Sequence, residues 1–159
     1  LYPIVVLALS TGMRQSEIVN LKWKDIDLAR GMIVLHETKN NERRSVPLVS
    51  HAKEIIKEMA SVRRIDTPFL FYSVQKFEVP VFIRTPWNRA LKEAGIEDFK
   101  FHDLRHTAAS YLAMNGASLA EIAEVLGHKT LQMVKRYAHL SEQHTSKVVE
   151  SMNSTIFGE

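Results

Sequence analysis

The chain has 159 residues, 45% of them hydrophobic, which suits one domain with a full core and excludes disordered and fibrous classes. It has no cysteine, which removes disulfides, thiol catalysis and cysteine-rich zinc sites together and fits a reducing cytoplasm, the expected location. Lys and Arg exceed Asp and Glu by 21 to 18, so the formal charge of +3 is only mildly basic and excludes neither an acidic partner nor a neutral one.

Leu1 to Leu9 is apolar, but it lacks a basic leader and is far shorter than the ~20 residues that span a bilayer. No membrane partner is expected. Pro3 suits a first helical turn and Gly12 a C-terminal cap, so the sequence predicts a helix over Tyr2 to Ser10 that is buried nearly all round. Because the chain opens inside this helix without methionine, it is expected to be a piece of a longer protein. Arg14 follows the cap directly. A second helix from about Gln15 to Leu21 turns Ile18 and Leu21 inward, and Glu17, three residues beyond Arg14, can orient that guanidinium or form a plain surface pair.

Met32 to Glu37 and Arg43 to Leu48 read as the strands of a β-hairpin whose tip, Thr38 to Glu42, carries Lys39. A lysine there is ordinarily only solvated. A helix from about His51 to Val62 follows, with Ile55, Ile56 and Met59 as its apolar stripe. Phe69 to Tyr72 reads as a third short strand, and Ser73 to Val81 shows no pattern. Thr85 as N-cap and Pro86 at the first helical position open a helix that turns Trp87, Ala90, Leu91 and Ala94 inward and stops at Gly95.

The next stretch, Phe101 to Thr107, gathers His102, Asp103, Arg105 and His106 at a helix start. If Asp103 opens the helix, Leu104, Ala108, Tyr111 and Leu112 share its apolar face and Gly116 ends it. His102 and Arg105 then point into the same space, an anion site in outline; a satisfied helix-entry cluster is the plainer alternative. His102 and His106 also have the i, i+4 spacing of zinc ligands, but the zinc-protease pattern has Glu where Asp103 stands, and no metal is expected.

Ser118 and Glu121 form a capping box ahead of Leu119, Ile122, Ala123 and Leu126, and Gly127 ends that helix. His128 leads into a short helix from about Thr130. The pair also reads as a helix-turn-helix, in which Gln132, Lys135 and Arg136 would face DNA bases; a binding module without chemistry is the alternative function. Tyr137 lies just beyond. Ser141 can cap a last helix to about Met152, with Val148, Met152 and Ile156 in one stripe. Basic clusters recur along the chain at Lys39 with Arg43 and Arg44, at Arg63 with Arg64, at Arg84 with Arg89 and Lys92, and at Lys129 with Lys135 and Arg136. Gathered on one face, they would form a footprint for a polyanion.

Two arginines, a lysine, two histidines and a tyrosine make a complete set for phosphoryl transfer without a metal. Arginine forks match phosphodiester oxygens, and their charge counts most where negative charge accumulates in the transition state. A phenol with a pKa of ~10 is a nucleophile that needs help and a tolerable leaving group, so a strand can be cut, held and resealed with no cofactor.

Arg14 within Thr11 to Glu17, Lys39 on the hairpin, His102 to His106, Leu126 to His128 and Tyr137 closely resemble the catalytic domain of tyrosine recombinases, the phage integrase family. The resemblance covers roughly residues 2 to 140, with the nine-residue step from His128 to Tyr137 as expected. It departs over Tyr72 to Thr85, and the upstream DNA-clamping domain that such enzymes carry is absent from the sequence. The resemblance implies that residues 1–159 are a recombinase catalytic domain of α+β fold, mostly α-helical with a small antiparallel three-stranded sheet, of the DNA breaking-rejoining enzyme type. It makes Tyr137 the nucleophile of a 3′-phosphotyrosyl link, with Arg14 and Arg105 holding the scissile phosphate and His128 donating a hydrogen bond to it. Lys39 would protonate the departing 5′ oxygen, His102 would assist proton transfer and position the phosphate, and Glu17, Asp103 and His106 would support these groups from behind. Arg43, Arg44, Lys129, Lys135 and Arg136 are the expected DNA contacts. The implied partners are double-stranded DNA at specific recombination sites and further copies of the chain in a DNA-bound tetramer, joined through residues 141–159.

Overall fold

The computed structural model describes residues 1–36 and 44–158, so Lys39, Arg43 and the expected hairpin tip lie outside the described residues. Residues 1–105 and 106–159 form two compact units.

In the first unit, α1 (Tyr2–Thr11) ends where Gly12 takes φ 61°, in the left-handed region that glycine enters without a Cβ penalty. Its Ile4, Leu7, Ala8 and Thr11 are buried, and it packs against α2 (Gln15–Val19) and α3 (Ser50–Ser61). A single 3₁₀ turn (Trp23–Asp25) then leads into the sheet. The strands β1 (Ile26–Asp27), β2 (Met32–Leu35) and β3 (Arg44–Pro47) are antiparallel in the order β1-β2-β3, with Ile33 opposite both Ile26 and Val46. The expected hairpin strands are β2 and β3. The third strand is not Phe69 to Tyr72: those residues form only isolated bridges, Lys22 to Phe69 and Tyr72 to Pro80, and the sheet takes Ile26–Asp27 instead. A two-residue strand has too few positions to show an alternation.

The sheet, α1 and α3 enclose a core of Leu7, Met13, Ile18, Ile33, Val46, Leu48 and Ile56. The helix α4 (Arg84–Glu93) begins ahead of the expected Thr85 cap, with Ile83 at the N-cap position, and no α4 residue is fully buried. Trp87 lies against Phe99 and Phe101, ring centroids 6.1 and 5.2 Å away.

The helix α5 (Asp103–Met114) starts at the expected residue. Leu104 and Ala108 of its expected inward face are buried, whereas Tyr111 is 62% exposed and Ala109 and Ala113, outside that expected face, are buried. In the second unit, Ala109 and Ala113 pack with Ile122, Ala123 and Leu126 of α6 (Leu119–Leu126) and with Val134 and Tyr137. Ser118 caps α6 as expected: its hydroxyl accepts from the Glu121 amide, and the Glu121 carboxylate accepts from the Ser118 amide and hydroxyl. Residues Leu131–Met133 and Lys135–Ser141 are 3₁₀ turns, so the second helix that a helix-turn-helix needs is not formed there. The last helix, α7 (Glu142–Phe157), runs beyond the expected end at Met152. Among the described residues no helix is long and apolar enough to cross a membrane.

Candidate functional site

In the first unit the site is built on the turn from Gly12 to Arg14. Arg14 is the N-cap residue of α2, and its amide donates to Glu17 Oε2 at 2.8 Å while its guanidinium meets Glu17 Oε1 at 2.7 Å. A carboxylate three residues into a helix closes the cap and fixes the side chain before it in one step. Glu17 also receives Arg44 Nη2 on Oε2 at 2.8 Å, so one carboxylate lies between two guanidinium groups. The Glu17 and Arg44 side chains are 5% and 11% exposed against 21% for Arg14, which leaves Arg14 as the member of the trio that reaches solvent. Burial lowers the Arg44 guanidinium from its ordinary pKa; the Glu17 charge opposes that shift and the Arg14 charge adds to it. Arg44, expected to face DNA, is therefore turned inward. Its alternation was the missed signal: Arg44, Val46 and Leu48 fall on one face of the strand, and a cation on a core-facing row requires a carboxylate partner.

Arg105 is 3% exposed, and its Nη1 donates to the Gly12 carbonyl at 2.6 Å. The two arginines that the sequence singles out are thus fixed on one short piece of backbone, Arg105 at Gly12 and Arg14 two residues on. Asp103 closes the preceding turn, its carboxylate accepting from the Lys100 amide at 2.7 Å while its own amide donates to the Lys100 carbonyl. That turn carries His102 on the surface. Beside Arg14 opens a cleft of about 500 Å³, lined by Ser16, Lys22, Lys24, His36 and Phe69 among others. Arg14, Lys22 and Lys24 face it together with the carboxylates of Glu17 and Asp25.

In the second unit, Gly127 takes φ 64° and the amides of Gly127 and His128 bond back to the carbonyls of Glu124 and Ala123 at 3.0 and 2.8 Å. This paired closure of α6 places His128 at a set position after the helix. Tyr137 is 6% exposed, and its hydroxyl lies 2.6 Å from Nδ1 of His106. The two are 31 residues apart, too distant for any spacing rule to pair them. Lys129, Lys135 and Arg136 are exposed, as a DNA-facing role requires. Among the described residues no three His, Asp or Glu side chains are grouped as a metal cage would need.

A family model described as the phage integrase family matches residues 1–144. An integrase of Salmonella phage P22 is 36% identical over 169 residues, covering 98% of this chain and 43% of that protein. A shufflon-specific DNA recombinase of Escherichia coli is 39% identical over 141 residues, covering 88% of this chain and 35% of that protein. Among solved structures, a crystal structure of XerA recombinase is similar with a TM-score of 0.75 at 26% identity, covering 98% of this chain and 57% of that one. The chain spans less than half the length of these two curated relatives.

Proposed function

Because the chain belongs to the phage integrase family, we propose that it is the catalytic part of a site-specific DNA recombinase that cuts and rejoins strands through a 3′-phosphotyrosyl intermediate. The observation that carries this reading is the pair of arginines built onto the Gly12 to Arg14 backbone, Arg105 through the Gly12 carbonyl and Arg14 through Glu17. Guanidinium groups held in place before substrate arrives stabilise phosphoryl-transfer charge without reorganising at the moment of reaction. In this reading Arg14 and Arg105 hold the scissile phosphate, His128 donates to it, His102 positions it and assists proton transfer, Lys39 protonates the 5′ oxygen, and Tyr137 attacks. Glu17, with Arg44 behind it, keeps Arg14 aimed, and Asp103 keeps the turn that carries His102.

Double-stranded DNA is the partner, met by Arg43, Lys129, Lys135 and Arg136. Relatives named as an integrase and as a DNA recombinase support that choice. In α7, Val148, Met152, Ile156 and Phe157 are each at least half exposed. An apolar row of this kind favours a covering surface, and a neighbouring copy in a DNA-bound tetramer is the one we assign to it.

The test is a denaturing gel on a nicked duplex carrying one recombination site. Parent chain should run as a covalent protein-DNA adduct and Tyr137→Phe should form none while still shifting DNA in a native gel. An adduct formed by the phenylalanine variant would remove Tyr137 as nucleophile.

A further inference from the structure

Tyr137 is a poor nucleophile as a neutral phenol, and its proton must go somewhere as its oxygen attacks phosphorus. The hydroxyl is buried with Tyr137, and Nδ1 of His106 stands 2.6 Å away, within the reach a general base needs. The rings are inclined by 41° with centroids 6.4 Å apart, so they meet through the hydroxyl and the ring nitrogen and not by stacking. A buried tyrosine hydroxyl can be satisfied by any acceptor, a backbone carbonyl included. Here the partner is an imidazole nitrogen, a group of the kind that can take up and return a proton.

Both residues are held by their own elements. His106 sits in the first turn of α5, one residue beyond Arg105 and so about 100° further round the helix. Tyr137 is fixed by the hydrogen bond that its amide donates to the Val134 carbonyl at 2.9 Å and by packing in one cluster with Val134, Leu126 and Ala109.

We propose that His106 is the general base for Tyr137, a catalytic role beyond the supporting one that the sequence pattern implies; the inference rests on the recombinase reading above. With its ring proton on Nε2, His106 accepts the tyrosine hydrogen bond at Nδ1. As the Oη–P bond forms and the P–O5′ bond breaks, the phenol proton passes to Nδ1 and the departing 5′ oxygen takes its proton from Lys39. Rejoining reverses each transfer: the attacking 5′ hydroxyl gives its proton to Lys39, and the released phenolate takes one from Nδ1. His102 then acts at the phosphate.

The experiment compares the parent and His106→Asn, each with either tyrosine or 3,5-difluorotyrosine at position 137, by the rate of adduct formation on the nicked duplex. Asparagine places an amide where Nδ1 was, so it keeps a hydrogen bond and loses the base. With ordinary tyrosine the variant should be slower by roughly 10²–10⁴, the usual worth of a positioned base. With the fluorinated phenol, which ionises nearer neutrality and has less need of a base, that gap should narrow at least tenfold. An equal gap with both nucleophiles, or no gap with either, would overturn the assignment. A parent chain that makes no adduct at all would instead remove the recombinase reading. If His106→Asn lacks the parent's thermal transition, nitrogen NMR of the parent takes its place. The Nδ1 resonance of His106 should move when Tyr137 is changed to Phe, and an unmoved resonance would overturn the proposal.

Discussion

At the residue scale the unexpected feature is Glu17, a carboxylate shared by a solvent-reaching arginine and a buried one. Arg44→Met leaves Glu17 with Arg14 alone and should destabilise the chain by about 3 kcal/mol, at the low end for a broken buried pair because one partner remains. A denaturant midpoint checks this. The same variant separates the inward Arg44 from the DNA contact that the sequence suggested. A lost phosphate contact lowers the slope of log affinity against log salt by ~0.9. Lys129→Ala should show that loss and Arg44→Met should leave the slope unchanged, so a reduced slope for Arg44→Met would restore Arg44 to the DNA surface. Arg105→Lys tests the other arginine. An ammonium does not reproduce a planar fork that bonds the Gly12 carbonyl. Cleavage should fall by ~10²–10³, the scale of a lost oxyanion donor; near-parental rates would count against the phosphate clamp.

At the element scale, the capping box of α6 titrates. The Ser118 hydroxyl, and then its amide, hold the Glu121 carboxyl below its ordinary pKa. A folded pKa that is depressed contributes stability above the unfolded value and loses it as pH falls through the folded one. Ser118→Ala should therefore destabilise the chain near neutrality, and the difference in melting temperature from the parent should shrink as pH drops below the usual glutamate range. A difference that stays constant with pH would mean that the carboxylate is idle. Much of this level was legible in the chain. Pro3 and Gly12 bracket α1, Ser118 and Gly127 bracket α6, and the two Val- and Ile-bearing runs are β2 and β3, because caps and alternation act over a few residues and leave a local trace. What was not legible depended on partners distant in sequence. Tyr111 has the period of an inward residue, yet Ala109 and Ala113, nearly opposite it on the helix, are the residues that join the second core cluster. β1 forms only because β2 offers it an edge. Of the site, the residues proposed for catalysis were named through the resemblance to the recombinase family, His106 only in a supporting role, whereas the contacts that hold them, Arg44 to Glu17, Arg105 to Gly12 and His106 to Tyr137, span 27, 93 and 31 residues.

For the whole molecule, α7 lies beyond every proposed catalytic residue. It meets the rest of its unit partly through His144, whose imidazole lies where a Cβ on Gly116 would stand. Truncation after Leu140 should leave a cooperative thermal transition and remove cooperative binding to paired sites, because its exposed apolar row is assigned to a neighbouring copy. Loss of the transition would show that α7 belongs to its own core, and unchanged cooperativity would show that the tail does not join copies. Strand cleavage should also persist in excess chelator, since the arginines and Lys39 already bring the positive charge a metal would supply; activity lost to chelator and restored by a divalent ion would contradict that division of labour. One tyrosine is proposed to take the strand by its 3′ phosphate, and mass spectrometry of the nuclease-trimmed, proteolysed adduct reads that linkage. A single modified peptide is expected, with a nucleotide 3′-phosphate carried on Tyr137. A nucleotide joined through its 5′ phosphate, or attached to any other residue, would contradict it.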